Sequence, residues 1–92
     1  MKVIRTLEEL YRFGNENKQI GNIVGFVPTM GFLHQGHISL INCAKSTSDI
    51  VIASIYVNPS QFNNLKDFQN YPKNEINDLK LLSESCCDAV FI

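Results

Sequence analysis

The sequence predicts an α/β fold: a parallel sheet covered by helices in three layers, with strands and helices alternating in βαβαβ order. Three observations lead there. Ile23–Val27 and Ile50–Val57 are continuous apolar runs rich in β-branched residues, the pattern of strands buried on both faces. The stretches that follow each run carry apolar residues at helical spacing. A third short apolar run, Asp88–Ile92, completes the alternation.

The elements are justified in chain order. Thr6-Leu7-Glu8-Glu9 reads as a capping box, with Thr6 as N-cap and Glu9 at the third helical position. Leu7, Leu10, Tyr11 and Phe13 then give a short amphipathic helix, closed at Gly14-Asn15 or before Gly21-Asn22. Pro28 is expected to stop the first strand, and Thr29 to Gly36 form a loop. Ile38, Ile41 and Ala44 mark a second helix that fades in Ser46-Thr47-Ser48. The second strand breaks at Asn58-Pro59-Ser60, and Gln61 to Pro72 reads as a polar loop. A third helix is expected from about Lys73, with Ile76, Leu79, Leu82 and Cys86 on its buried face. Tyr11, Phe13, Phe26 and Phe91 are assigned to the core, and Cys86-Cys87 to a buried helix end.

Composition limits the function classes. The chain has 92 residues, 45% of them hydrophobic and 18% charged, enough for one domain with a core. Eight basic and nine acidic residues leave a net charge of −1, so no nucleic-acid footprint is expected. No apolar run is long enough for a membrane span, and the N-terminus lacks the apolar stretch of a secretory signal. Three cysteines, two of them adjacent, make a poor disulfide framework, and a reduced, cytoplasmic setting is expected.

One segment carries chemistry. Pro28-Thr29-Met30-Gly31-Phe32-Leu33-His34-Gln35-Gly36-His37 joins a buried strand to a helix. In a parallel sheet that junction lies at the carboxyl end of the strand, where ligands bind. Gly31 and Gly36 allow close backbone approach. The helix N-terminus and two imidazole donors suit a phosphate whose transfer needs charge stabilisation rather than a protein nucleophile. Two histidines also suit a metal, but no Cys, Asp or Glu lies beside them to complete a ligand set, so no metal site is assigned. Asn58 and Gln61 follow the next strand at the same sheet edge, and offer uncharged donors and acceptors to a hydroxy acid.

His34-Gln35-Gly36-His37 resembles the HxGH signature of the nucleotidyltransferase superfamily, whose domains are Rossmann-like. The longer string from Pro28 to His37 is similar to that of the pantoate–β-alanine ligases. Val57-Asn58-Pro59-Ser60-Gln61-Phe62, then Asp67-Phe68 and Tyr71-Pro72, resembles the same family's second segment. The resemblance covers the whole chain and implies that residues 1–92 form the first part of a nucleotide-binding HxGH domain, about a third of a family member.

That resemblance implies a two-step ligase. ATP and pantoate form a pantoyl adenylate and pyrophosphate, with Mg²⁺ present, and the amine of β-alanine then displaces AMP. Met30, Gly31, Phe32, Leu33, His34, Gln35, Gly36 and His37 would line the ATP site, with His34 and His37 catalytic. Gln61, with Pro28, Thr29, Asn58 and Phe62, would bind pantoate and β-alanine. The family's later elements, including those near Mg²⁺, are not among these residues, and a homodimer is expected. Asn63-Asn64-Leu65-Lys66-Asp67 departs from the family's Gly-Pro-Asn-Glu-Asp-like stretch, and Lys73 stands where an arginine is usual. In a strand order of 3-2-1-4-5 the chain supplies the first three strands and leaves Ile23–Val27 as an apolar edge. Another HxGH nucleotidyltransferase, such as a cytidylyltransferase, and a non-catalytic oligomerising piece are the competing readings.

Overall fold

A computed structural model describes residues 1–92. Its elements are β1 (Lys2–Ile4), α1 (Leu7–Gln19), β2 (Val24–Thr29), α2 (Gln35–Ser46), β3 (Ile50–Ile55), a 3-10 turn (Pro59–Gln61), α3 (Leu65–Gln69), α4 (Glu75–Ser83) and β4 (Ala89–Phe91). The sheet order is β1-β4-β3-β2 and every pair is parallel. The three expected strands are therefore adjacent in the expected order, with the first of them, β2, on an edge.

Two packed faces make three layers. Val51 and Ala53 of β3 join Val27, Val90, Ile41, Leu82 and Cys87 under α2 and α4. Ile52 faces the other way, with Ile4 and Ala89, and is covered by Leu10 and Phe13 of α1. This period-2 split along a continuous apolar run is what a strand buried on both faces requires. Asp88 ties the layers at one end: its carboxylate accepts from Val51 N–H at 2.8 Å and from Lys45 Nζ at 3.0 Å.

Several expectations need correction. β1 was not foreseen: it is three residues long, only Ile4 is buried, and its order comes from pairing with β4. α1 runs through Gly14 to Gln19, so of its two expected ends the later one, before Gly21-Asn22, holds; the positive φ of +89° falls at Gly21, beyond the helix. Its start is as read, with Thr6 Oγ1 accepting from Glu9 N–H at 3.2 Å. Pro28 lies inside β2 rather than ending it, because an edge strand tolerates a missing N–H on its open side. β3 stops at Ile55, two residues early, and the polar loop contains the 3-10 turn and α3.

The last helix buries part of the expected face. Leu82 lies in the core and Leu79 packs against it, but Ile76 is 85% exposed and Cys86 is exposed, while Asp78 and Cys87 are buried instead. Burial pushes the Cys87 thiol up, so it stays protonated and inert. Tyr11 and Phe26 are exposed rather than core; Phe13 and Phe91 pack at the margin of the Ile4 cluster. No helix is long and apolar enough to cross a membrane.

Candidate active site

The turn between β2 and α2 is bent by two residues with left-handed backbone, Gly31 (φ +80°) and Phe32 (φ +51°). A side chain at position 31 would be both strained and crowded: a Cβ there would lie 3.1 Å from Asp78 Oδ2 and from Ile55 Cγ2. Thr29 Oγ1 donates to Ser54 O at 2.8 Å and accepts from Gly31 N–H at 3.2 Å, pinning the turn to β3. Leu33 sinks into the core, while Phe32 stays exposed.

His34 is the N-cap of α2, and it forms a reciprocal box with His37. His34 Nδ1 accepts from Gly36 N–H at 3.0 Å, and His37 Nδ1 accepts from His34 N–H at 3.1 Å. The ring centroids are 4.3 Å apart and the planes are inclined at 54°. An Nδ1 that accepts carries no proton, so each neutral ring holds its proton on Nε2 and offers it as a donor. The glycine of the motif has a steric cause: a Cβ at Gly36 would stand 2.7 Å from His34 Cε1. Burial lowers the pKa of His37, the charge on a protonated His34 lowers it further, and the Asp78 carboxylate partly opposes both.

Beside His37 lies a cleft of about 420 Å³ at the carboxyl end of the sheet. Pro28, Thr29 and Met30 from the end of β2 and just beyond it, Ser54 and Tyr56 from β3 and just beyond it, and Asn58, Gln61 and Tyr71 from the following loop line it with His37. Pro59 follows Asn58 and opens the 3-10 turn that carries Gln61; Asn58 Oδ1 caps that turn, accepting from Ser60 N–H and Oγ–H at 3.0 and 2.8 Å. That leaves the Asn58 amide as a donor.

Of the residues selected from sequence, Pro28, Thr29, Met30, His37, Asn58 and Gln61 meet in this cleft. Gly31, Phe32, Leu33, Gln35 and Gly36 do not line it, nor does His34, whose exposed ring adjoins that of His37; Leu33, expected at the ATP site, is taken up by the core instead. Phe62 is not part of the lining. Its ring stacks edge-on against Phe68 and Tyr71, with centroids 5.6 Å away in each case, and so supports Tyr71 from behind. Sequence reasoning did not assign Ser54, Tyr56 or Asp78; an acid one turn before Leu82, inside an apolar helical stripe, was the available signal for Asp78. No group of three or more His, Cys, Asp or Glu side chains converges in the structure.

A parallel α/β sheet with a paired-histidine helix start at its carboxyl edge defines a Rossmann-like domain of the nucleotidyltransferase type. The family model described as pantoate-beta-alanine ligase matches residues 2–92, and the chain belongs to that family. The pantothenate synthetase of Thermosipho africanus is 47% identical over 92 residues, which is 100% of this chain and 33% of that protein. That of Cytophaga hutchinsonii is 49% identical over 89 residues, 97% of this chain and 31% of that protein. The crystal structure of the Francisella tularensis pantoate-beta-alanine ligase, complexed with beta-gamma ATP and beta-alanine, matches with a TM-score of 0.89. Its identity is 46%, over 99% of this chain and 34% of that one. The Thermus thermophilus pantothenate synthetase matches with a TM-score of 0.82 at 37% identity, over 99% of this chain and 31% of that one. The chain thus spans about a third of the length of the curated relatives it matches.

Proposed function

We propose that residues 1–92 are the nucleotide-gripping first part of a ligase that condenses pantoate and β-alanine at the expense of ATP. The observation that carries this reading is the reciprocal His34–His37 box, which leaves two Nε2–H donors at a helix start beside the cleft. In the first step the pantoate carboxylate attacks the α-phosphorus and pyrophosphate leaves. The negative charge that builds on the phosphoryl oxygens is met by the imidazole donors and the free N–H groups of α2. His37, which opens to the cleft, holds the α-phosphate; His34, whose ring adjoins that of His37, meets the departing pyrophosphate. In the second step the amine of β-alanine attacks the acyl carbon and AMP leaves.

Gln61 and Asn58, on the 3-10 turn after β3 and its cap, hold the hydroxy acid by its hydroxyl and carboxylate in the cleft that His37 also lines. Met30 and Pro28 give the apolar side of the same pocket. Mg²⁺ would accompany the ATP phosphates as part of the substrate, and no residue here is assigned to it. Relatives about three times as long support the view that completing the reaction takes further residues. A reducing, cytoplasmic setting fits the three free cysteines.

Titration of the 92-residue chain with ATP and Mg²⁺, followed by NMR, tests the reading. Shifts of the His34 and His37 rings and the Gln61 side chain are expected. ATP that leaves all three unmoved sinks it. One observation favours a second role, self-association: β2 is an open edge on which Phe26, like Ile23 just before the strand, is more than half exposed. A homodimer insensitive to ATP in sedimentation would make that role the principal one.

A further inference from the structure

The turn that carries the histidines is held from outside by one carboxylate. Asp78 lies on α4, one turn beyond the Asn74 cap, and is 2% exposed. Its two oxygens serve two consecutive backbone groups: Oδ2 accepts from Phe32 N–H at 3.0 Å and Oδ1 from Leu33 N–H at 2.8 Å. None of the three ion pairs includes it; these join Arg5 to Glu75, Arg12 to Glu8 and Lys45 to Asp88. Burying a carboxylate without a cation is unfavourable, and only hydrogen bonds to its charged form offset that.

The groups it serves are where the chain needs holding. Phe32 has a left-handed backbone that a residue with a side chain rarely adopts, and His34 follows Leu33 directly. Docking of α4 needs no such group, because Leu82 already fills the core beneath it. We propose that Asp78 is a positioning residue: its carboxylate locks the 31–33 turn so that the His34–His37 box faces the cleft. What the box binds rests on the function proposed above; its placement does not. The same carboxylate is close enough to be felt electrostatically by His37.

Asp78→Asn tests this with shape retained. The amide accepts from one N–H and turns its own NH₂ toward the other, so the pair cannot be satisfied together. In the folded variant, the Phe32 and Leu33 amide signals should move and the Nδ1-acceptor signature of His34 and His37 should be lost. The His37 midpoint should fall, since an attractive carboxylate is gone, and ATP affinity should drop roughly tenfold or more. A variant that melts earlier but keeps both ring signatures and the His37 midpoint shows a purely structural role and overturns the proposal. If the variant does not fold, amide exchange in the wild-type chain at neutral pH decides. Phe32 and Leu33 amides that open together with the His34 and Gly36 amides support positioning, and independent opening overturns it. Ring signatures that depend on Asp78 in a chain blind to ATP reject the nucleotide reading and leave the positioning role standing.

Discussion

His37 Nδ1 accepts the backbone N–H of His34 at 3.1 Å, while His34 Nδ1 caps the same helix through Gly36 N–H. One arrangement thus serves two purposes. It starts α2 cleanly, and it dictates the tautomer that turns both Nε2–H groups outward. The chemistry offered to a ligand is set by the way the helix is capped.

That coupling makes the box sensitive to pH. The folded-state pKa of His37 lies below the ordinary 6.5, so the unfolded chain binds its proton more readily. The contribution to stability is complete above about 6.5 and is lost as pH falls through the lower folded value. Protection of the His34 amide, corrected for intrinsic exchange, should therefore fall on acidification below about 6.5, before that of the rest of α2. Protection at that amide that stays unchanged down to about pH 5 contradicts the tautomer assignment.

His37→Ala removes a phosphate donor and the acceptor for His34 N–H together. ATP binding by the chain should weaken about tenfold or more, since hydrogen bonds to charged groups carry roughly 1.5–3 kcal/mol. In a complete ligase turnover should fall on the order of a hundredfold. Calorimetry on the chain and single-turnover assays in the complete enzyme measure these; affinity within about twofold of wild type counts against the role.

Gln61→Ala should separate the substrates. Pantoate binding should weaken by roughly tenfold, with ATP affinity nearly unchanged, because Gln61 is carried by the 3-10 turn after β3 and not by the α2 start that presents the imidazoles. Equal losses for both ligands, in paired titrations, argue against its assignment to the hydroxy acid.

Gly36→Ala sets two effects against each other. Alanine favours the helix by up to about 1 kcal/mol, and loss of the His34 cap costs about the same. Net stability should move by less than about 1 kcal/mol in urea titration. The His34 ring, however, must leave its place, since Cε1 would be 2.7 Å from the new Cβ. ATP affinity should fall while the unfolding midpoint barely changes; a ring signal identical to wild type rules out the steric reading of the motif glycine.

Phe26→Lys places a charge on the open edge strand, where the wild-type ring is 57% exposed. Self-association should weaken, because charged side chains on edge strands oppose strand pairing. Sedimentation of the two chains at matched concentrations checks this, and an unaltered mass distribution moves the dimer contact away from β2.

Much of the fold was legible locally. The runs Ile23–Val27 and Ile50–Val57 announced strands because both are rich in β-branched residues; burial on both faces holds for Val51–Ser54 of β3, whereas β2, an edge, fully buries only Val27. Thr6 announced α1 because a hydroxyl at that place satisfies a free N–H. β1 was not legible, since Lys2-Val3-Ile4 takes its order from a strand at the far end of the sequence. Ile76 misled because helical spacing identifies a stripe without saying which side of it meets the sheet.

The candidate site divides in the same way. By itself the sequence determined the strand–turn–helix junction and the residues on it, from Pro28 to His37, because turn chemistry and periodicity act over a few neighbours. It also marked Asn58 and Gln61, since two parallel strands must end at one edge of the sheet. Only the tertiary structure decided that Tyr71 faces the cleft with Phe62 behind it, that both imidazoles present Nε2–H, and that Asp78 holds the turn. Those are contacts whose geometry exists only once the turn has bent and the helices have packed on the sheet.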